Sequence, residues 1–217
     1  MSLSATFYAL GYLTGLAAFA WMARRRGFQS AAVWSILWAG LVGGLAGANL
    51  AQWLLGGAAG KTVLGGIAGG WIAVAAVKRF LRVRRPTGDL FAVALTAGEV
   101  VGRLGCFFGG CCYGRGCDLP WAIYQHGLLR HPTQLYLSAS CLAILAALLL
   151  VERARPADNR IFYLQGVLYC GARFAVEFFR DGAPAVAGVT IAQWACAGGG
   201  LVFGLDRKST RLNSSHL

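Results

Sequence analysis

Two pairs of opposite charges stand inside otherwise apolar stretches of the chain: Glu99 with Arg103, and Arg173 with Glu177. An arginine at the centre of a membrane-crossing helix costs about 2.5–3.5 kcal/mol even on lenient insertion scales. Both pairs have i,i+4 spacing, which puts the two side chains of each pair on one helix face. Two readings are open: a structural ion-pair network, or an anion site whose guanidinium forks bind phosphate or carboxylate. A second constellation is a run of thiols, Cys106, Cys111, Cys112 and Cys117, spaced C-x4-C-C-x4-C. Facing an oxidising compartment they could form disulfides. They could instead bind a soft metal with His126 or His131, although the spacing matches no standard zinc pattern. They could also supply a nucleophile, or merely be small residues. Cys141, Cys170 and Cys196 read as small apolar packing residues.

The elements that must hold these groups follow from composition. The chain has 217 residues, is 57% hydrophobic and carries only 13% charged residues, with a mean hydropathy of +0.58. Soluble domains have roughly 45–50% apolar and about 25% charged residues, so an ordinary soluble core cannot hide this much apolar surface. Disorder, collagen and a disulfide miniprotein are excluded as well, because the 31 glycines have no triplet period and the cysteines number only 7. A bilayer core needs about 20 mostly apolar residues per helix. Seven stretches qualify, at 5–23, 31–56, 62–77, 88–108, 133–151, 161–179 and 186–205. The expected fold is an all-α, polytopic membrane protein of seven transmembrane helices, with one domain over 1–205. The third stretch is short and glycine-rich, and glycines at such spacing let helices approach closely.

Lys and Arg in the loops orient the chain. The side reached after stretches 1, 3, 5 and 7 holds 14 of the 20 basic residues, the opposite side holds four, and Arg103 and Arg173 lie within spans. This bias predicts the N-terminus outside and the C-terminus in the cytoplasm. The net charge of +12 then reads as topology with anionic-lipid contact, not as a nucleic-acid footprint, because it is spread over separate segments. No cleavable signal peptide is expected, since the first apolar stretch lacks a basic leader and is followed by Arg24–Arg26. The abruptly polar tail at 206–217 reads as a non-native scar or an ordinary cytoplasmic tail, and carries no functional argument.

Stretches 4 and 6 run in the same direction on this topology, so Arg103 and Arg173 should lie at similar depth in the outer half. Glu99 is deeper than Arg103, while Glu177 is shallower than Arg173. If the helices are neighbours, Glu99 can pair with Arg173, and Arg103 with Glu177. The phosphate offered at that depth is a phospholipid head group.

Four motifs occur in order: Phe7-Tyr8-Ala9-Leu10-Gly11-Tyr12; Gly102-Arg103-Leu104-Gly105 running on to Gly114; His131-Pro132-Thr133-Gln134-Leu135-Tyr136; and Arg173-Phe174-Ala175-Val176-Glu177-Phe178-Phe179-Arg180-Asp181. Together they resemble the prolipoprotein diacylglyceryl transferases, seven-helix enzymes of the bacterial inner membrane. The resemblance implies transfer of a diacylglyceryl group from phosphatidylglycerol to the lipobox cysteine of an exported prolipoprotein, at the outer face. It implies catalytic roles for Arg103, Arg173, Glu177 and Tyr8. Gly102, Gly105, Gly114, Glu99, His131, Gln134 and Tyr136 are the implied substrate-binding set. Partners would be phosphatidylglycerol and the prolipoprotein signal segment; no cofactor is implied.

The chain also departs from the family pattern. The family's His-Gly-Gly, whose histidine is the proposed base, is Leu64-Gly65-Gly66 here. Its asparagine after Gly-Arg-x-Gly is Cys106, a glutamate further on is Cys111, and the glutamate after Gln-Leu-Tyr is Leu137. A thiol acceptor attacks as the thiolate, so the missing histidine opens two alternatives. One is a repurposed, non-catalytic lipid-binding homologue; the other is a thiol-redox or metal-binding membrane protein using Cys106–Cys117.

Overall fold

A computed structural model describes residues 2–28, 30–54, 63–182 and 186–214. The side chains of Val63, Leu64 and residues 206–214 lie outside the described set, as does the whole of Lys61. Among the described residues the chain forms seven helices, α1 (Leu3–Arg25), α2 (Ala31–Leu54), α3 (Val63–Phe80), α4 (Gly88–Phe108), α5 (Thr133–Arg153), α6 (Arg160–Glu177) and α7 (Ile191–Ser214). Between α4 and α5 stands a short antiparallel hairpin, β1 (Ile123–Gln125) and β2 (Leu128–Arg130). By length and composition α1, α2, α4 and α5 can each cross a membrane, and α7 contributes a shorter apolar stretch, Ile191–Leu205.

Local chemistry sets the helix ends. α1 stops where Gly27 adopts φ +72°, with Gly27 N–H donating to Arg24 O and Phe28 N–H to Ala23 O. This is a Schellman closure, which needs a left-handed residue just past the helix. α3 ends in the same way with Arg82 (φ +53°) in the left-handed position. α7 begins five residues later than expected, because Thr190 and Gln193 form a capping box. Gln193 N–H donates to Thr190 Oγ1 at 3.2 Å, and Thr190 N–H donates to Gln193 Oε1 at 3.0 Å. That reciprocal pair satisfies two otherwise orphaned amides. α7 then continues as helix into the polar stretch expected to be a tail.

The chain separates into two compact units: one is Ala23–Arg85, the other comprises the residues before and after it. In the Ala23–Arg85 unit, α2 and α3 meet through bare backbone. A Cβ at Gly47 would fall 2.8 Å from Gly69 Cα, and one at Gly70 would fall 3.3 Å from Gly40 O. In the other unit α1 lies on α4 in a similar way, since a Cβ at Gly11 would sit 3.0 Å from Gly98 O and 3.1 Å from Gly102 Cα.

α4 and α6 are joined by polar contacts. The Asp89 carboxylate near the start of α4 accepts N–H bonds from Asn159 (2.9 Å) and Phe162 (2.8 Å), at the N-terminal end of α6. A carboxylate there satisfies free amides and complements the helix dipole. Ten residues further along α4, Glu99 accepts a hydrogen bond from Tyr169 of α6. Both links join residues 70 positions apart, and the same offset separates Arg103 from Arg173. The two helices are therefore parallel neighbours in register.

A candidate anion site where helices four and six meet

Arg103 forks onto Glu99 of its own helix, with Nη2 at 3.1 Å from both carboxylate oxygens and Nε at 3.3 Å from Oε2. Tyr169 closes the pair from α6: its hydroxyl donates to Glu99 Oε2 at 3.0 Å and accepts from Arg103 Nη2 at 3.4 Å. Cys141 of α5, fully buried, places its thiol 3.7 Å from the same Glu99 oxygen. Arg173 is paired with Glu177 one turn on. Glu177 also accepts from Thr190 Oγ1 at 3.2 Å and faces Arg180 at 3.7 Å. Both arginines thus pair with the glutamate of their own helix. The cross-pairing of Glu99 with Arg173 and of Arg103 with Glu177 does not occur among the described residues, because one helical turn already brings each arginine to its nearer partner. At this level Tyr169 links α6 to α4.

Arg103, Arg173 and Arg180 line one narrow cavity of about 10 Å³, together with Cys112, Thr133, Gln134, Leu137 and Val176. Leu137 and Val176 also belong to the apolar cluster beneath it, with Cys141. Among the described residues, two buried polar atoms here lack partners, Gln134 Oε1 and Arg180 Nε. The orientation of the Gln134 amide is fixed at its other end, where Nε2 donates to Cys111 O at 2.8 Å and to Gln125 Oε1 at 3.3 Å. An orphaned donor on a cation and an orphaned acceptor at one cavity fit a ligand that has both an anionic oxygen and a hydroxyl.

Three chain segments crossing at Gly114 deliver Arg180 to this cavity. Gly114 N–H donates to His131 O at 3.0 Å, Arg115 N–H to Phe179 O at 2.9 Å, and Gly114 forms a bridge with Arg180. A Cβ on Gly114 would stand 2.6 Å from His131 O and from Phe179 O, so only glycine fits. Arg130 locks the crossing: its Nη1 bonds Asp181 at 2.6 Å and Gly114 O at 3.2 Å, and its guanidinium lies over the Tyr113 ring. The β1–β2 hairpin that carries Arg130 turns at His126 (φ +52°) and Gly127 (φ +80°), the two-residue geometry that suits antiparallel strands.

The remaining expected site residues fall into three groups. Tyr8 packs over Gly105, where a Cβ would approach its ring to 2.9 Å. Its hydroxyl donates to Cys106 Sγ at 3.4 Å and lies 3.8 Å from Cys111 Sγ. Gly102 faces Gly11. His131 and Tyr136 belong to a hydrogen-bonded chain of their own: Trp121 Nε1 donates to Tyr136 OH at 2.8 Å, which lies 3.2 Å from His131 Nδ1.

The four-thiol run divides. The Cys106, Cys111 and Cys112 sulfurs lie within 4.8 Å of one another, whereas Cys117 is drawn off by its amide bond to Leu129 O. Neither histidine joins the thiols: His126 Nε2 bonds Gly110 O at 2.7 Å. The Cys112 thiol is pulled down to about 7, first by the hydrogen bond from Cys106 and also by the field of Arg180.

Sequence reasoning missed Tyr169 and Arg180 as site groups. Tyr169 is four residues before Arg173 and so on its face; Arg180 is three after Glu177. Both spacings were visible.

The profile of the prolipoprotein diacylglyceryl transferase family matches residues 2–204. The chain belongs to this family. Among its relatives, the phosphatidylglycerol–prolipoprotein diacylglyceryl transferase of Clostridium tetani is 28% identical over 202 residues, covering 79% of this chain and 78% of that protein. The same-named protein of Aromatoleum aromaticum is 33% identical over 165 residues, covering 71% and 54%. That of Campylobacter lari is 36% identical over 94 residues, covering 43% of this chain. The matched segment spans only 35% of the Campylobacter lari protein's length. Against the family pattern, the leucine that replaces its glutamate, Leu137, stands in the cavity wall.

Proposed function

We propose that the chain transfers a diacylglyceryl group from phosphatidylglycerol to the lipobox cysteine of an exported prolipoprotein, at the outer face of a bacterial inner membrane. The observation that carries this reading is the convergence of Arg103, Arg173 and Arg180 on one cavity, in a chain of this family. The acceptor sulfur attacks the glycerol carbon that bears the phosphate. A carbon–sulfur bond forms, the carbon–oxygen bond breaks with its electron pair, and glycerol phosphate departs while the thiol proton is released. Charge grows on the phosphate as it leaves, and fixed guanidinium groups stabilise such charge where water is excluded. Glu99 and Glu177 orient the arginines, and Tyr169 holds Glu99 and Arg103 together. Gln134 Oε1 is the acceptor for a head-group hydroxyl, and Tyr8 donates near the entrance.

In this reading all seven helices span the bilayer as one domain over 1–205, with the N-terminus outside. The 14-to-four bias of basic residues supports that orientation, and the many outward-facing apolar side chains, Trp38, Trp53, Trp71 and Trp194 among them, suit contact with lipid. Gly11 and Gly105 keep α1 close to α4, and Gly114, His131 and Tyr136 set the loop that presents Arg180.

Purified protein in detergent, given phosphatidylglycerol and a lipobox peptide, should yield a peptide heavier by one diacylglyceryl group in mass spectrometry. Loss of that product in Arg103→Ala supports the arginine site. No product from a preparation that still binds the lipid overturns the transferase reading. Leu64→His should raise turnover if the base usual in the family is simply absent.

A further inference from the structure

α4 ends in a Schellman closure like those of α1 and α3, with different side chains on it. Cys111 N–H donates to Cys106 O at 3.1 Å, and Gly110 N–H donates to Phe107 O at 3.2 Å, with Gly110 at φ +63°. This closure brings together the side chains five positions apart at its two ends, a contact usually made by apolar residues. Here both are cysteines. The next residue, Cys112, takes a left-handed φ of +60° and returns a third sulfur to the same place. Thr133 Oγ1 and Gln134 Nε2 hold the loop by donating to Cys112 O (2.7 Å) and Cys111 O (2.8 Å).

We infer that Cys106, Cys111 and Cys112 form a binding site for one soft monovalent metal ion, cuprous copper, coordinated by three thiolate sulfurs. The inference does not rest on the proposed lipid chemistry, although Cys112 lines the same cavity. The thiols are not sealed in a core, since Cys111 is exposed and the other two are half-buried. Soft thiolates select cuprous ion and zinc among the available metals. A structural zinc site closes its tetrahedron with a fourth protein ligand; among the described residues no fourth cysteine, histidine or carboxylate joins the three sulfurs, so zinc here would need water in the fourth position. Cuprous ion has a filled d shell and is satisfied by a trigonal set of three sulfurs.

The surroundings suit the charge. Binding replaces three thiol protons by one cation and leaves a complex with two negative charges, with no change of oxidation state. Cys112 lines the same cavity as Arg180, whose Nε has no partner among the described residues, so a guanidinium donor not already taken by a glutamate stands on its wall. The Tyr8 hydroxyl donates to the Cys106 sulfur, the kind of outer hydrogen bond that fixes a coordinating ligand.

The test uses the full chain, reduced and purified in detergent under anaerobic conditions, titrated with cuprous ion buffered by bicinchoninate. One ion per chain should be retained, with three sulfur neighbours in X-ray absorption. In the unmutated protein, copper should shield Cys106, Cys111 and Cys112 from maleimide labelling while Cys117 labels as before. Cys111→Ser and Cys112→Ser should each abolish the tight site. Tyr8→Phe should weaken it by about tenfold, and Cys117→Ser should bind like the parent. Absence of uptake by the reduced protein overturns the site. So does uptake that survives in the Cys111→Ser/Cys112→Ser double variant, or labelling protection that falls on other cysteines.

Discussion

The α2–α3 and α4–α6 pairs solve one problem in opposite ways. Hydrocarbon supplies no hydrophobic drive to bring helices together, so packing and polar contacts must do it. α2 and α3 use packing: Gly43, Gly47 and Gly69 remove the side chains and let backbones touch. α4 and α6 use polar groups: Asp89 holds the start of α6, and Glu99 and Arg103 hold Tyr169 a few turns on. Among the described residues the glycine contact is backbone against backbone. The polar contact spends the stabilisation of its hydrogen bonds on register, and register is what brings Arg103 level with Arg173.

The sharpest way to break this contrast is at the arginines. Arg103→Ala or Arg173→Ala should lower diacylglyceryl transfer by about 10²–10³-fold, the size of effect seen when a charge-stabilising donor is removed. Folded yield should be far less affected, as gel filtration would show. Unchanged turnover in both variants removes the phosphate site. At the glycine pair the loss should be in stability instead. Gly69→Val overfills a backbone contact and should cost about 1–3 kcal/mol, read as an earlier unfolding midpoint in denaturing detergent; an unchanged midpoint would show that the helices are not in backbone contact.

Tyr169→Phe tests the link from α6 to the Glu99–Arg103 pair of α4. Removing one hydroxyl that serves both Glu99 and Arg103 should slow transfer by about tenfold, in line with about 1.5 kcal/mol for a hydrogen bond to a charged group. The phenylalanine should keep the packing, so an equal loss of folded protein would assign Tyr169 a structural role only. The smallest effect is expected from Asp89→Asn, about 1 kcal/mol of stability from the lost charge at the start of α6. A large loss of transfer there would mean that register is more easily disturbed than the remaining contacts imply.

Much of α4 was legible in the sequence, because its apolar run is bounded by Gly88 at one end and the glycines after Phe108 at the other. The level placement of Arg103 and Arg173 was legible too, since it needs only helix direction and distance to the loop. Their partners were not. Choosing between a glutamate on the same helix and one on a neighbour depends on rotation about each axis, which hydropathy does not encode; here the i,i+4 partner is used. Arg180 was counted as a loop charge because the bridge between Gly114 and Arg180 joins residues far apart in sequence. The later start of α7 was readable from Thr190-x-x-Gln193. Its apolar flank at 186–189 concealed it.

Parallel neighbours also place like ends together. The C-terminal ends of α4 and α6 each carry about half a negative charge from their unpaired carbonyls, and Glu99 and Glu177 add two more. Arg103, Arg173 and Arg180 therefore answer almost the same amount of negative charge already built into the fold. The resting cavity is close to neutral, so a phosphate arriving in the proposed reaction gains little from bulk attraction. It must take over an arginine from a glutamate, exchanging one anion for another. Such a site discriminates by the geometry of its oxygens more than by charge, and it holds its arginines in place between turnovers.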